Sequence, residues 1–305
     1  MMMMKVITKS RHQRATSSSH SPPPSPGVVL RADSLAAMEE MAANSLSVKG
    51  VIWDRGSNSD LENSLSTWLQ GKRESHSRVW RVQEVTVGGN EGETCCRDFH
   101  CHDDEKDPAL HAEPTHNHDA AEKIKAACSR LVSDLPSCAR DVVSRDAEAL
   151  AQMMLRFFQS EEAASSRKRK HRITMQIEFV GRNRCSRWHQ DNYFGRALVT
   201  YVGDGTWLAD DSSVQYDQFE ATRGQPFGIS DPKIVPRFED VHRTPTNSVV
   251  LMKGNAWPKL RSCGYFRGHE GLTHKAPNVE ERNRRHVQVR FLLKVDLAMV
   301  SSGLL

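Results

Sequence analysis

The sequence predicts an α+β protein, with a mixed, helix-bearing front half followed by a β-rich region over residues 170–296. Three observations carry that expectation. In the front half apolar residues recur at helical spacing, as in Leu61, Leu65, Trp68 and Leu69. After the basic run Arg167–Arg172 the period changes to two: Ile173, Met175, Ile177 and Phe179 alternate with Thr174, Gln176 and Glu178. Gly203-Asp204-Gly205-Thr206 then reads as a tight turn after the strand-like run ALVTYV at 197–202.

Taken in order, residues 1–32 are basic, rich in Ser and Pro, and low in complexity. Such a segment buries too little apolar surface to offset its ordering entropy, so it is expected to be a disordered tail. Its acid-free, serine-rich start also fits an organellar transit peptide, which leaves the location cytoplasmic, mitochondrial or plastid. An N-terminal α/β part spans 33–169. In it, Val48–Trp53 reads as a buried strand, and helical patterning appears at 119–132 and 145–159. Residues 88–118 dissolve into Gly, acids and histidines, and are expected to be a disordered loop. Its His100, His102, His111, His116 and His118, with Cys95, Cys96 and Cys101, suggest metal buffering or simple drift. Further strands are expected at 248–252 and 286–295. Residues 206–246 look like a long irregular lid, and 297–305 like a tail.

Composition excludes several classes. No run approaches the roughly 18 apolar residues of a membrane-spanning helix. The net charge of +4 arises from Lys5, Lys9, Arg11, Arg14 and Arg31 (+5) within 1–32, so the remainder carries 4 − 5 = −1. A nearly neutral folded part offers no signal for a nucleic-acid partner. Seven cysteines without a CxxC pair indicate neither a disulfide framework nor a zinc ribbon, and suit a reducing compartment.

The chemistry centres on Trp188-His189-Gln190-Asp191. On an extended segment His189 and Asp191 project to one face while Gln190 points away. With one more donor they would make a facial triad that leaves metal positions open. His274, in Gly271–Pro277, is the distant donor of choice, with His269 as a competitor. The plainer alternative is an aspartate that orients a histidine by hydrogen bonding. Met153, Met154, Phe157 and Phe158 read as core, and Cys185 and Cys263 as ordinary buried thiols.

The ordered segments Cys185–Asp191, RALVTYVGDGTW (196–207), LMKGNAW (251–257), Gly271–Pro277 and RFLLKVD (290–296) closely resemble a family called domain of unknown function 1826. Val51–Arg55 resembles its N-terminal part, and the similarity covers roughly 45–296. More widely, His-x-Asp, a distal His and a later Arg at a strand start resemble the 2-oxoglutarate/iron(II) oxygenases. That resemblance implies a C-terminal double-stranded β-helix, a jelly-roll or cupin-like barrel, with the N-terminal part packed on it. It implies His189, Asp191 and His274 as ligands of Fe(II). Arg290 would be the anchor of 2-oxoglutarate, with Arg196, Arg284 and Arg285 as rivals. Asn192, Tyr201, Lys253 and Trp257 are the substrate-pocket candidates, for a small-molecule or peptide substrate that the sequence leaves open. Two alternatives stand beside the dioxygenase: a non-catalytic Zn(II)-handling protein of the same fold, and a metal-free interaction scaffold.

Overall fold

Two β-sheets of very different width organise the molecule, seen in a computed structural model that describes residues 27–45, 47–70, 78–87, 96–100, 120–163, 171–180, 185–222, 225, 227–257, 270–277 and 290–299. The large sheet contains β1 (Val28–Ala32), β2 (Val48–Trp53), β3 (Arg78–Val87), β4 (Cys96–His100), β5 (His171–Val180), β6 (Gly195–Val202), β9 (Val249–Lys253) and β11 (Arg290–Met299). Their order is β1-β2-β9-β6-β11-β5-β3-β4, and every pairing is antiparallel except β1 with β2. The small sheet joins β10 (Thr273–Lys275), β7 (Trp207–Ala209) and β8 (Val241–Arg243) in the order β10-β7-β8.

Helices α1 (Leu35–Asn44), α2 (Ser59–Gln70), α3 (Ala120–Leu131) and α4 (Ser137–Ala163) pack on one face of the large sheet. Each forms for local reasons. Ser34 caps α1 by accepting the Ala37 N–H at 3.2 Å, and Asn58 accepts the Leu61 N–H at 3.1 Å at the start of α2. In α3, Ile124, Ala127, Cys128 and Leu131 fall on one stripe, and all are fully buried. In α4, Ala139, Val143, Ala147, Leu150, Ala151 and Met154 do the same. They meet Ile173, Met175, Ile177, Val199, Phe291, Leu293 and Val295 of the sheet in one large core. Each fully buried Leu or Met side chain contributes about 1.5–3 kcal/mol, so this core dominates stability.

The opposite face of the large sheet meets the small sheet through Val29, Ile52, Leu198, Val250 and Met252, packed against Leu208 and Leu272. Beyond the small sheet, α5 (Tyr216–Ala221) and α6 (Phe227–Ile234) cover a third cluster of Trp188, Trp207, Ala209, Val214, Ile234 and Val235. No helix among the described residues is long and apolar enough to cross a membrane.

Several expectations are corrected. The α+β class holds, with a large sheet and six helices, but a closed barrel is not formed among the described residues. Strands β1, β2, β3 and β4 from the front half widen the large sheet well past the three strands that face it. Residues 28–32, assigned to the tail, are strand β1. They are held by parallel pairing to β2 and by Asp210, which accepts the Val29 N–H at 2.6 Å. Within 88–118, Cys96–His100 is strand β4 beside β3, and the rest of that stretch lies outside the described residues. The stretch 206–246 is neither irregular nor a free lid. It holds β7, β8, α5 and α6, elements of three to eight residues too short to leave a periodic signal. The last strand continues through Met299, into the supposed tail.

Candidate metal centre

The site is built where a loop meets the edge of the small sheet. His189 and His274 form a single antiparallel bridge, each backbone N–H donating to the other's carbonyl at 2.9 Å. Directly opposed residues send their side chains to the same face. The two imidazoles therefore lie side by side, with ring centroids 4.4 Å apart. Leu208, opposite His274 on its other flank, is in the cluster between the sheets, so this face looks toward the large sheet.

Two residues past His189, Asp191 brings its carboxylate to the same point. His274 Nε2 is 3.2 Å from Asp191 Oδ2, and His189 Nε2 is 4.0 Å from Oδ1. All three potential ligand atoms lie within 4.8 Å of one another. The far ring nitrogens are engaged in the same way: His189 Nδ1 meets the Arg187 carbonyl at 2.8 Å, and His274 Nδ1 meets that of Leu272 at 3.0 Å. A carbonyl only accepts, so each Nδ1 carries a proton, and Nε2 is left as the nitrogen by which each histidine would ligate a metal.

Electrostatics act on His189 and on Asp191. Burial, then His274, push the His189 imidazole down to about 4, which keeps it neutral at physiological pH. Burial alone would raise Asp191, but His274, Arg196 and His189 outweigh it and hold the carboxyl well below its usual range. An ionised Asp191 and a neutral His189, ready to bind without losing a proton, suit a divalent cation.

Arg196, on β6, holds the carboxylate. Its Nη1 donates to Asp191 Oδ2 at 2.5 Å, while Nε and Nη2 grip Asp296 of β11 at 2.6 and 2.9 Å. The register places Asp296 directly opposite Arg196. Arg196 thus spends its donors on two carboxylates. Arg290, 2% exposed, lies further along β11 and donates from Nη2 to Thr200 Oγ1 at 3.1 Å and Thr206 Oγ1 at 3.0 Å. Thr206 is two residues before Leu208, the residue facing His274, so the guanidinium meets the small sheet about 6.6 Å along the strand from the histidine's level.

The surrounding turns explain the motif glycines. A Cβ at Gly254 would overlap the Tyr193 carbonyl oxygen, and one at Gly271 would press on the Asn255 backbone. These close approaches let Asn255 N–H donate to the Asp191 carbonyl at 2.8 Å, which pins the ligand loop.

Of the pocket candidates, Asn192 is exposed at the rim beside Asn255. Tyr201 and Trp257 belong instead to the helix-side core. Lys253 turns the same way, its Nζ donating to the Ser45 carbonyl at 2.7 Å beside the Trp257 ring. Tyr201 and Lys253 sit on that face because they alternate with Thr200 and Met252, which face inward. His269, Arg284, Arg285 and Cys263 lie outside the described residues. Sequence reasoning missed Asp296, Thr200 and Thr206. Asp296 closes the recognised RFLLKVD segment, six residues from Arg290 on the same strand face, and that alternation was the available signal.

Fold and site together define an α+β protein with a cluster of two histidines and one carboxylate between a wide and a narrow sheet. The chain belongs to the family described as a protein of unknown function, DUF1826, which matches residues 32–296. Among curated proteins none matches it. Similar solved structures include the Fe(II)/α-ketoglutarate-dependent dioxygenase TqaL, at 10% identity and TM-score 0.38, covering 86% of this chain and 87% of that one. An oxidoreductase of the 2OG-Fe(II) oxygenase family from Burkholderia pseudomallei matches at 10% identity and TM-score 0.31, covering 89% and 95%. IDO from Bacillus thuringiensis matches at 8% identity and TM-score 0.33, covering 86% and 95%. At such identities and scores the likeness transfers neither activity nor ligand.

Proposed function

We propose that this protein binds a divalent metal through His189, Asp191 and His274 and acts as an iron(II)- and 2-oxoglutarate-dependent oxygenase. The observation that carries the reading is the pair of imidazoles with Nδ1 tied to backbone carbonyls and Nε2 turned toward one carboxylate. Three ligands of this kind leave positions open for substrate and oxidant. Iron bound there would supply the redox chemistry that couples decarboxylation of 2-oxoglutarate to oxidation of a second molecule.

The chain's own residues have separable tasks. Arg196 fixes Asp191 and is itself fixed by Asp296, so it is not the anchor for a co-substrate. Arg290 supports that role better. It is buried on the face that carries the ligands' side of the fold, and a guanidinium takes a carboxylate in a two-pronged geometry that lysine does not match. Thr200 and Thr206 fix its head group, which limits the entropy lost on binding. His189, the most exposed of the three ligands, marks the solvent side by which a substrate would approach.

Metal analysis of protein purified without oxygen, joined to calorimetric titration with 2-oxoglutarate, tests the reading. One equivalent of iron and saturable 2-oxoglutarate binding that requires it are expected. Tight zinc with no 2-oxoglutarate binding would replace the oxygenase by the zinc-handling alternative, and no metal at all would leave the scaffold.

A further inference from the structure

His189 and His274 are joined by one bridge and by no longer ladder, because the residues around His189 form no strand among the described ones. Outside the bridge, the Ala276 N–H donates to the Cys185 carbonyl at 2.8 Å and Gln190 Nε2 to the Gly271 carbonyl at 2.8 Å, so the two segments are held at a few points rather than by a continuous ladder. A buried contact behind the bridge adds to them.

The neighbours of the two histidines face the outer side of the small sheet. Lys275 lies opposite Trp207 in β7, and its side chain is 1% exposed. Its Nζ is 4.9 Å from the Trp207 ring centroid and 5.3 Å from that of Trp188. The ammonium meets Asp231 Oδ2, on α6, at 2.5 Å. The other oxygen of that carboxylate, Oδ1, accepts the Trp188 backbone N–H at 3.4 Å. One buried side chain therefore touches the residue before His189 and the residue after His274.

We propose that Asp231 is a positioning residue of the metal centre, the clamp that sets His189 against His274 from behind. The proposal rests on the metal reading above. A buried ion pair is a weak source of net stability against apolar packing, but it fixes geometry because both charges must be matched. Asp231 supplies this from α6, in the stretch that sequence patterning assigns to a lid. That helix is therefore part of the metal site's frame.

Titration of the full chain with Co(II), followed by its visible absorption, reads both affinity and coordination geometry. Asp231→Asn should weaken Co(II) binding about 10–100-fold, the usual cost of losing a residue that orients ligands, and should change the spectrum. Asp231→Glu, which keeps the charge, should recover part of the affinity. Asp231→Leu with Lys275→Met should fold about as stably as the natural chain, since apolar replacement of a buried pair is often neutral, yet still bind Co(II) weakly. Asp146→Asn, which breaks the Arg55 and Tyr201 contacts on the helix side, should lower Tm with affinity and spectrum unchanged. Natural affinity and spectrum in Asp231→Asn or in the double variant would overturn the clamp while leaving the metal site standing. A natural chain that takes up no Co(II) would overturn both.

Discussion

On β6, Ala197, Val199 and Tyr201 turn toward the helices and join the large apolar core, whereas Arg196, Leu198 and Thr200 turn toward the small sheet. Strand β11 repeats the division. Phe291, Leu293 and Val295 face the helices, while Arg290, Lys294 and Asp296 face inward with polar partners: Thr200 and Thr206, Glu178 at 2.6 Å, and Arg196. Both faces are buried, but the inner one mixes Leu198 and Leu292 with these charged and polar side chains, whereas the helix side of the two strands is apolar. Taking charges out of water is expensive and their pairing repays little. The inner face therefore gives up stability for side chains of fixed geometry, and it is the face onto which the candidate ligands converge. On the proposed reading, stability and function are segregated onto opposite sides of the same strands.

The largest expected effect is on metal. His189→Ala removes one ligand from the inner side, and its imidazole is a third exposed, so the apolar core is untouched. Stoichiometric metal should disappear by elemental analysis while Tm stays close to that of the natural chain. Metal retained at one equivalent would break the comparison, because it would detach the inner face from its function.

The converse substitution belongs to the helix side. Leu131→Ala deletes a fully buried side chain of α3 and should cost about 2–5 kcal/mol of unfolding free energy in denaturant titration. Metal affinity of the folded fraction should not change. If it fell in proportion, the two faces would be one cooperative unit and the segregation would be false.

Arg290→Lys sharpens the inner side itself. The charge survives but the fork does not, so 2-oxoglutarate binding should weaken by roughly 2–5 kcal/mol while the metal stays. Calorimetry with metal-loaded protein reads this directly. Co-substrate affinity within twofold of natural would sink the anchor assignment.

The sequence made the apolar face legible and the inner face only partly so. Alternation at 173–179 and the helical stripes of α3 and α4 announce themselves because burial demands period two or about 3.6. His189, Asp191 and His274 were legible as chemistry, through spacing and through the resemblance of their segments to a family. The small sheet was not, because strands of three residues carry no period. The pocket candidates Tyr201 and Lys253 turn to the helix side for a related reason: they stand near recognised motifs, but on β6 and β9 one residue's step decides the face. The Asp231–Lys275 pair joins residues 44 apart through a helix that sequence patterning left unassigned, and such a contact has no local signature.

Cys128 offers the smallest and cleanest contrast. It lies in α3 on the helix side, fully buried, with its sulfur 3.4 Å from that of Met175. Burial, with Glu148 nearby, pushes its thiol up to about 12 from an ordinary 9.0. The shift is upward, so the reactive thiolate is scarcer at any pH below about 9 than in the unfolded chain, by on the order of a thousandfold. Cys138 is exposed, and so is Cys185, against the expectation of a buried thiol there. Brief treatment with iodoacetamide at pH 8 should therefore alkylate Cys138 and Cys185 and spare Cys128, as peptide mapping would read. In denaturant all three should react alike, because the protection is a property of the packed helix side and not of the thiol. Addition of metal should leave the protection of Cys128 unchanged, since the group that titrates is separated from the ligands by the full thickness of the large sheet. Rapid native labelling of Cys128 would mean that the helix layer opens on the timescale of the reaction. The apolar face could then no longer be treated as the rigid side of the pair.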